Sequence, residues 1–173
     1  GQPQPVGVPG MLAVHVDDSP ALFFRGYENT ETQPFKDGWY LTGDTVERNA
    51  DGSIAFVGRS DDVITSSGYR IGPFDVESCL LEHPDVVEAA AVGKPDPERF
   101  ERVKAYVVLR PGVAGDEALA AALAQHVKTR LSAHAYPREI AFVDELPKTP
   151  SGKIQRFLLR KQARAEAETA PAA

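Results

Sequence analysis

The sequence has little cysteine, methionine or tryptophan, and it has no long apolar run. Cys79 is the single cysteine among 173 residues, which excludes a disulfide framework within the chain and is typical of a reducing compartment. Its position in the apolar stretch SCLLEH indicates a buried structural thiol rather than a nucleophile. Because the sequence shows neither about 20 consecutive apolar residues nor a signal-peptide pattern, we expect a cytoplasmic protein without a membrane span.

Several kinds of site are missing as well. The 4 histidines are scattered along the chain, so we expect no protein-held metal ion. No serine or cysteine lies in a nucleophile elbow, and the stretch KTPSGK at residues 148–153 lacks the glycine spacing of a Walker loop. A net charge of −6 argues against general nucleic-acid binding. The content of 42% hydrophobic and 25% charged residues is that of an ordinary soluble domain.

The first 57 residues alternate short apolar runs with polar turns, which predicts a β-rich segment. Asp51 and Gly52 form a good hairpin dipeptide, and Thr42, Gly43 and Asp44 read as a small-residue turn that ends an aromatic strand. The predicted strands cover residues 11–16, 21–25, 38–44 and 53–57, with a loop or one helical turn at 26–37.

Residues 58–77 (GRSDDVITSSGYRIGPFDVE) predict a β-hairpin, because two short apolar runs flank a polar turn that contains glycine. A surface hairpin whose charges are merely solvated is as good an interpretation of this stretch as a hairpin with a function. The following residues predict an α+β layer, in which helices cover a small sheet. Its helices are expected at residues 74–83, 117–131 (with Asp116 as N-cap) and 154–166, its strands at 86–92, 103–109 and 139–143, and a loop at 93–102.

Lys153 ends a proline- and glycine-containing loop that precedes a basic helix. An ammonium on such a loop is a point charge with three donors and is suited to a phosphate or a carboxylate. Spacing alone, however, favours a solvated surface lysine. The residues by themselves therefore indicate only polar turns that could hold an anion.

Four stretches together resemble the signatures of adenylate-forming enzymes, the superfamily of acyl-CoA synthetases, peptide-synthetase adenylation domains and luciferases. They occur in the order of that family and span nearly the whole chain, and SSGYRIGPF with SGK is most similar to medium-chain acyl-CoA and benzoate–CoA ligases. The stretches are WYLTGD at residues 39–44, the hairpin region at 58–77, VGKPD at 92–96 and LPKTPSGKIQR at 146–156.

The resemblance implies a β-rich end of a large N-terminal lobe (residues 1–60), a mobile C-terminal lobe (61–166) with a protruding β-hairpin, and a disordered tail (167–173). It also implies roles for individual residues in binding, hinge motion and catalysis. These are Asp44 and Arg59 at the ribose of ATP, Arg70 near the phosphates or among the supporting contacts of the hairpin, Asp61 as the hinge, Ser67, Gly68 and Tyr69 along the coenzyme A tunnel, and Lys153 as the catalytic lysine.

The implied substrates are ATP with Mg²⁺, coenzyme A and a carboxylic acid, without a tightly bound cofactor. The main ATP- and acid-binding lobe is absent from these residues, so we expect a fragment that is inactive alone and whose acid cannot be named. Phe100 departs from the family, since many relatives have glycine there. An exposed Lys153 would also be open to acylation by a protein acetyltransferase, which would remove its charge.

Two other functions stay open. The chain could come from an adenylation domain that loads a carrier protein, although no carrier domain or DSL-type phosphopantetheine site follows Lys153. It could also be a non-catalytic α+β interaction module, which a gene starting near Gly1 would favour and an upstream phosphate loop in the same frame would exclude.

Overall fold

The computed structural model describes residues 2–28 and 34–169. The chain divides into two compact units, Gly1–Asp61 and Asp62–Ala173. The strands of the first unit are β1 (Gly10–His15), β2 (Phe35–Lys36), β3 (Trp39–Arg48) and β4 (Ile54–Arg59). The second unit contains β5 (Ile64–Ser66), β6 (Tyr69–Ile71), α1 (Pro73–Leu81), β7 (Val86–Asp96), β8 (Phe100–Leu109), α2 (Glu117–Arg130), β9 (Glu139–Phe142) and α3 (Arg156–Thr169).

Strand β3 organises the first unit, because β1, β2 and β4 all pair with it in antiparallel fashion. It runs on to Arg48, so the turn expected at residues 42–44 is wrong. Gly43 has a φ of +79° inside this strand, and the β3–β4 register shifts between Thr45 and Val46. A glycine in the left-handed region next to such an irregularity is typical of a bulged strand rather than a strand end.

The strand expected at residues 21–25 is also wrong, because this segment forms no ladder. Its Phe24 instead packs its ring against three other aromatic rings, those of Tyr27, Phe35 and Tyr40. The apolar run therefore contributes to an aromatic cluster without strand pairing. Of the loop expected at 26–37, Phe35 and Lys36 form the short strand β2, and residues 29–33 lie outside the described part.

The second unit is built on a sheet in the order β6-β5-β8-β7, with β9 parallel to β8. All other strand pairs in this sheet are antiparallel, which confirms the expected α+β fold with a mostly antiparallel sheet. The loop expected at 93–102 is largely wrong, since β7 extends to Asp96 and β8 begins at Phe100. Pro95 is tolerated there because β7 is the last strand of the sheet path and an edge position spares its missing N–H.

Helices cover both faces of this sheet. On one face, Val76 and Leu80 of α1 and Leu123 and Val127 of α2 pack against apolar residues of β7 and β8. On the other face, α3 contributes a second buried cluster. Neighbouring alanines of β7 point alternately into the two clusters, as the period of a strand requires. That second cluster contains Ala90, Val92, Tyr106, Leu146, Leu159 and Ala163.

Helix ends follow ordinary capping chemistry where the sequence supplies it. Asp116 caps α2 as expected, because its Oδ1 accepts a hydrogen bond from the N–H of Leu119 at 2.8 Å. Pro73 opens α1 at the first position, where a missing N–H costs nothing. Helix α3 continues to Thr169, so the disordered tail predicted from 167 is wrong for residues 167–169, and residues 170–173 lie outside the described part.

Candidate functional site

Asp44 and Arg59 lie opposite each other on β3 and β4, and their side chains meet. Nη1 of Arg59 is 3.2 Å from Oδ1 of Asp44 and also donates to the carbonyl of Thr42 at 3.0 Å. Nε of Arg59 is 3.4 Å from Oδ1 of Asp61, the last residue of the first unit. The three residues expected to contact ribose or act as the hinge therefore form one charged group with two carboxylates and one guanidinium.

The charge of this group is fixed by its geometry. Partial burial disfavours the charged form of Arg59, but the hydrogen bond to Asp44 and the charges of Asp61 and Asp44 outweigh it and raise the pKa of Arg59. A carboxylate offers about four lone-pair sites, and Arg59 engages Asp44 at Oδ1. Asp44 therefore keeps capacity to accept hydrogen bonds from a diol.

Gly43 makes room for this arrangement. A Cβ at position 43 would lie 2.6 Å from Nη2 of Arg59, closer than real Cβ contacts allow. Asp44 in turn is positioned by its backbone N–H, which donates to Oγ1 of Thr42 at 3.1 Å, while Thr42 donates to the carbonyl of Leu12 at 2.9 Å. Thr42 and Gly43 thus leave the space in which the Arg59 guanidinium lies.

The predicted hairpin is confirmed as β5 and β6, joined at Ser67 and Gly68. Both turn residues have positive φ, +49° and +82°, which is the two-residue turn whose twist matches the flanking strands. The turn is tied to the β7–β8 loop, since the N–H of Ser67 donates to the carbonyl of Arg99 at 3.0 Å. Tyr69 stacks on the ring of His134 at a centroid distance of 4.1 Å, and Arg70 is exposed on β6.

Gly68 is required here by backbone conformation. A Cβ added at position 68 would meet no atom within 4 Å in this chain. Its φ of +82° nevertheless favours glycine, because other residues rarely adopt the left-handed region. Blocking of a tunnel by a side chain at 68 stays a prediction.

Lys153 lies on a tightly bonded turn between an isolated bridge and α3. Lys148 pairs with Ile154, and the N–H of Thr149 donates to the carbonyl of Lys153 at 2.8 Å. Gly152 closes the turn with a φ of +83° and an N–H bond to the carbonyl of Thr149. The side chain of Lys153 is exposed, and its ammonium forms no ion pair within residues 2–28 and 34–169. Its backbone is ordered and its charge is available.

Sequence reasoning missed two features next to these residues. Phe100 has a φ of +69° although it is not glycine, and it pairs with Ser66 beside the hairpin turn. The glycine of many relatives at this position was the available signal. The second feature is a half-buried ionic cluster that joins Asp62 to α3, described below. Two arginines four residues apart at 156 and 160 were its only trace in the sequence.

The described residues contain one group of three potential metal ligands, formed by Cys79, Glu82 and His126. Each ligand is already engaged or protonated in a way that opposes metal binding. Oε2 of Glu82 is 3.2 Å from Nη1 of Arg130, and Nε2 of His126 is 3.1 Å from the carbonyl oxygen of Cys79. Burial raises the pKa of the Cys79 thiol. The expectation of a buried thiol at Cys79 is confirmed by its exposure of 6%.

Among the helices that the structure describes, none has the length and apolar character needed to cross a membrane.

Comparison with known proteins links these features to one family. Residues 75–153 match the family described as the AMP-binding enzyme C-terminal domain. The 4-hydroxybutyrate–CoA ligase 1 of Metallosphaera sedula is 50% identical over 155 residues, which cover 88% of this chain and 28% of that protein. The resemblance to adenylate-forming enzymes is therefore confirmed.

Solved structures agree. The crystal structure of a Brucella canis acyl-CoA synthetase is 62% identical, with a TM-score of 0.62 over 98% of this chain and 31% of that one. The anthranilate CoA ligase AuaEII in complex with anthranoyl-AMP is 38% identical, with a TM-score of 0.80 over 97% of this chain and 32% of that one. The chain thus spans less than a third of the length of these relatives.

Proposed function

Because residues 75–153 match the family described as the AMP-binding enzyme C-terminal domain, we propose that this chain is the C-terminal part of an acyl-CoA synthetase. The whole enzyme activates a carboxylic acid with ATP and then transfers the acyl group to coenzyme A. The observation that carries the proposal is Lys153, whose exposed side chain stands on an ordered turn of the matched family segment. A charge presented in this way suits a site that it enters during one reaction step and leaves for the next.

In the first step, a carboxylate oxygen of the acid attacks the α-phosphorus of ATP and pyrophosphate leaves. Negative charge develops on the oxygens between acid and phosphate. The ammonium of Lys153 lowers the energy of that state by electrostatic attraction, which is worth most where water is excluded. ATP reaches the site with Mg²⁺ as its counterion, so the ion belongs to the substrate.

Asp44 and Arg59 hold the ribose. Asp44 accepts hydrogen bonds from the two ribose hydroxyls, and the bond from Arg59 at 3.2 Å orients its carboxylate. Arg70, exposed on β6, supplies positive charge for the phosphates. These roles place nucleotide contacts in both units of the chain.

In the second step, the sulfur of coenzyme A attacks the acyl carbonyl and AMP leaves. We assign the change between the steps to rotation of the second unit about Asp61, because that residue ends the first unit and is an exposed polar residue. The rotation withdraws Lys153 and presents the hairpin with Ser67, Gly68 and Tyr69 to the coenzyme. No regular hydrogen-bond ladder or helix spans Asp61, so backbone rotation there costs little.

The partners that complete the enzyme are a large N-terminal lobe, ATP, coenzyme A and a carboxylic acid whose identity that lobe sets. Location in the cytoplasm stays a prediction. An acetyltransferase acting on Lys153 is a further proposal, supported by the exposure of that side chain. Acetylation removes its charge, and mass spectrometry of the protein from growing cells would detect a gain of one acetyl group at Lys153.

A domain-swap experiment tests the proposed function. This chain replaces the matching C-terminal segment of the Metallosphaera sedula ligase, to which it is 50% identical, and the chimera is assayed with ATP, Mg²⁺, coenzyme A and 4-hydroxybutyrate. We expect acyl-CoA from the chimera and none from this chain alone or from the truncated ligase alone. A folded chimera without product would contradict the proposal and favour a non-catalytic module, and product from the chain alone would show that the large lobe is dispensable.

A further inference from the structure

An ionic cluster joins the first residue of the second unit to helix α3. It consists of Asp62, Glu77, Arg156 and Arg160, and we call it the entry cluster. Nη1 of Arg160 donates to Oδ1 of Asp62, and Nη1 of Arg156 lies 3.8 Å from Oδ2 of Asp62. The Asp62 side chain is only 10% exposed. The chain is therefore held by buried charge at the point where it enters this unit.

Arg156 connects the same cluster to the core of the unit. Its guanidinium makes two hydrogen bonds to Glu77 of α1, at 3.0 Å to Oε1 and 2.6 Å to Oε2. Oε1 of Glu77 also accepts from the N–H of Ala91 in β7 at 2.9 Å. A bidentate arginine–carboxylate pair fixes orientation as well as distance. Entry segment, α1, β7 and α3 thus meet at one guanidinium.

Helix stability does not explain this choice of residues. Arg156 begins α3, and the first turn of this helix has no acidic residue, although positive charge at a helix N-terminus opposes the macrodipole. Breaking one partner of a buried pair is costly, but the intact pair adds little over apolar packing. Residues that contradict a local preference without a gain in stability are expected where a specific geometry is needed.

A short, fully bonded segment leads from the entry cluster to Lys153. Gln155 precedes Arg156, and its N–H donates to the carbonyl of Pro147 at 2.8 Å. Ile154 pairs with Lys148. The N–H of Lys153 itself donates to Oγ1 of Thr149 at 3.1 Å. The backbone of this segment therefore transmits the position of Arg156 to the turn that carries the lysine.

We propose that Asp62 and Arg156 are positioning residues, which lock the Lys153 turn to the first residue after the hinge so that both move as one body. The role as a hinge rests on the proposed function, while the lock itself is a property of this chain. With the lock in place, a rotation at Asp61 reaches Lys153 undiminished. Without it, the turn moves independently and the lysine is less often in its working place.

Hydrogen exchange on this chain tests the lock without any enzyme activity. The variants are Asp62→Asn, Arg156→Lys and Arg156→Gln, and the readout is the exchange rate of the amides of Gly152, Lys153 and Gln155. We expect these amides to exchange at least about tenfold faster in Asp62→Asn and Arg156→Gln than in the parent chain. Arg156→Lys should not restore protection, because an ammonium cannot make the bidentate bond. Unchanged exchange of these amides in Asp62→Asn and Arg156→Gln would overturn the proposal.

Glu139→Gln is the matched control. Glu139 pairs with Lys94 and Lys104 in the same unit, so its loss disturbs another partly buried charge cluster of comparable kind. Exchange at Gly152 should stay at the parent level in Glu139→Gln. An equal rise in Glu139→Gln and in the variants of Asp62 and Arg156 would show a general loosening and contradict the proposal. If circular dichroism shows that Arg156→Gln is unfolded, the milder Asp62→Asn decides, since its side chain keeps the shape of aspartate.

In the active chimera, the same variants separate positioning from structure. Asp62→Asn should lower kcat of acyl-adenylate formation about tenfold, with the KM for ATP within about twofold, because Lys153 binds no part of the ground state strongly. Reaction of preformed acyl-adenylate with coenzyme A should keep its rate, and Asp62→Glu should recover part of the loss. The double variant Asp62→Asn/Arg156→Gln should cost no more than the worse single one.

The two proposals fail in different ways. An inactive parent chimera would remove the proposed function, but faster exchange in the variants would still establish the lock. An active chimera whose adenylation is unaffected by Asp62→Asn would remove the positioning role and leave the acyl-CoA synthetase assignment intact.

Discussion

Gly43 leaves open the space that the guanidinium of Arg59 occupies, since a Cβ at position 43 would lie 2.6 Å from Nη2 of that arginine. The position of the Arg59 guanidinium therefore depends on the lack of a side chain at Gly43 on the neighbouring strand. In this position Nη1 of Arg59 donates to Oδ1 of Asp44 at 3.2 Å. The relationship predicts a penalty at position 43 beyond ordinary backbone strain.

Gly43→Ala should destabilise the chain more than Gly38→Ala, which is its matched control. Both glycines have nearly the same φ, +79° and +81°, but a Cβ at position 38 would meet nothing within 4 Å. Backbone strain should cost about 1 kcal/mol in each variant, and displacement of the half-exposed Arg59 side chain from Asp44 and Asp61 should add about 0.2–1 kcal/mol at position 43. Urea unfolding measures both, and equal losses would show that Arg59 moves aside freely.

Phe100→Gly should stabilise the chain. The φ of +69° is strained for a bulky residue, and Phe100 is 74% exposed, so little packing is lost with its ring. We expect a gain of about 0.5–1 kcal/mol after the entropy of glycine is deducted, seen as a rise in Tm of about 1–4 °C. Phe100→Ala keeps the strain and should leave Tm nearly unchanged; a fall in Tm for both would mean that the exposed ring stabilises the hairpin.

Stability should decrease in acid because of Glu139 and Glu166. Burial opposes their charged forms, but hydrogen bonds from Lys104 and Lys94 outweigh it and hold the pKa of both carboxyls below the ordinary 4.5. The unfolded chain then binds more protons than the folded one, so this stabilisation is complete above pH 4.5 and is lost as the pH falls through the lower folded pKa values.

Unfolding free energies between pH 7 and pH 3 check this sign. Glu139→Gln should lower stability at pH 7 and flatten the acid-side decline, since its amide cannot titrate. Glu168→Gln changes an exposed residue of α3, the helix that contains Glu166, and should leave the pH dependence of the parent chain unchanged. An acid-side decline as steep in Glu139→Gln as in the parent chain would remove Glu139 from the explanation.

Lys153→Ala in the chimera should lower acyl-adenylate formation about 10²–10³-fold, as expected for loss of one charge-stabilising donor. Thioester formation from preformed acyl-adenylate should survive, because the proposed rotation withdraws the lysine before that step. Lys148→Ala is the control within the same turn region, and Lys148 pairs with Glu88 instead. Equal losses in both half-reactions would contradict the division of work between the two steps.

Gly68→Ala separates conformation from access. Strain at a φ of +82° should cost about 1 kcal/mol, and Gly112→Ala, at +86° and also with open space around it, should cost the same. If Gly68 lines the coenzyme tunnel, only the change at 68 should slow thioester formation in the chimera, and Gly68→Leu should slow it further. Parallel kinetics in the 68 and 112 variants would take Gly68 out of the tunnel.

Local patterns predicted those parts of the fold that local chemistry decides. Asp116 as a helix cap and the hairpin around Ser67 and Gly68 follow from residue types within a few positions. The run at 93–102 was misinterpreted because prolines usually end strands, and only the edge place of β7 makes Pro95 acceptable. The strand predicted at 21–25 was wrong for another reason: Phe24 of this apolar run packs in an aromatic cluster, and the run forms no strand ladder.

The candidate site likewise contains residues that the sequence predicted and contacts that it could not predict. Motif resemblance pointed to Lys153, Asp44 and Arg59, and the last two are in contact although 15 residues apart in sequence. It could not reveal the entry cluster, because Asp62 and Arg160 are separated by 98 residues and neither pattern nor propensity links charges over that distance. Pairings of this kind are set by how α3 packs on the sheet.

The contact of Asp62 with α3 also brings the beginning of the second unit close to Thr169, the last residue of that helix. Thr169 lies nine residues beyond Arg160, a helical distance of about 14 Å, which a loop of about six residues can bridge. A circular permutant that joins Thr169 to Asp62 and opens new ends between the exposed Pro111 and Gly112 should therefore fold. Grafted into a host enzyme through those new ends, the permuted unit would keep the Lys153 turn on an internal segment, attached to the host on both sides.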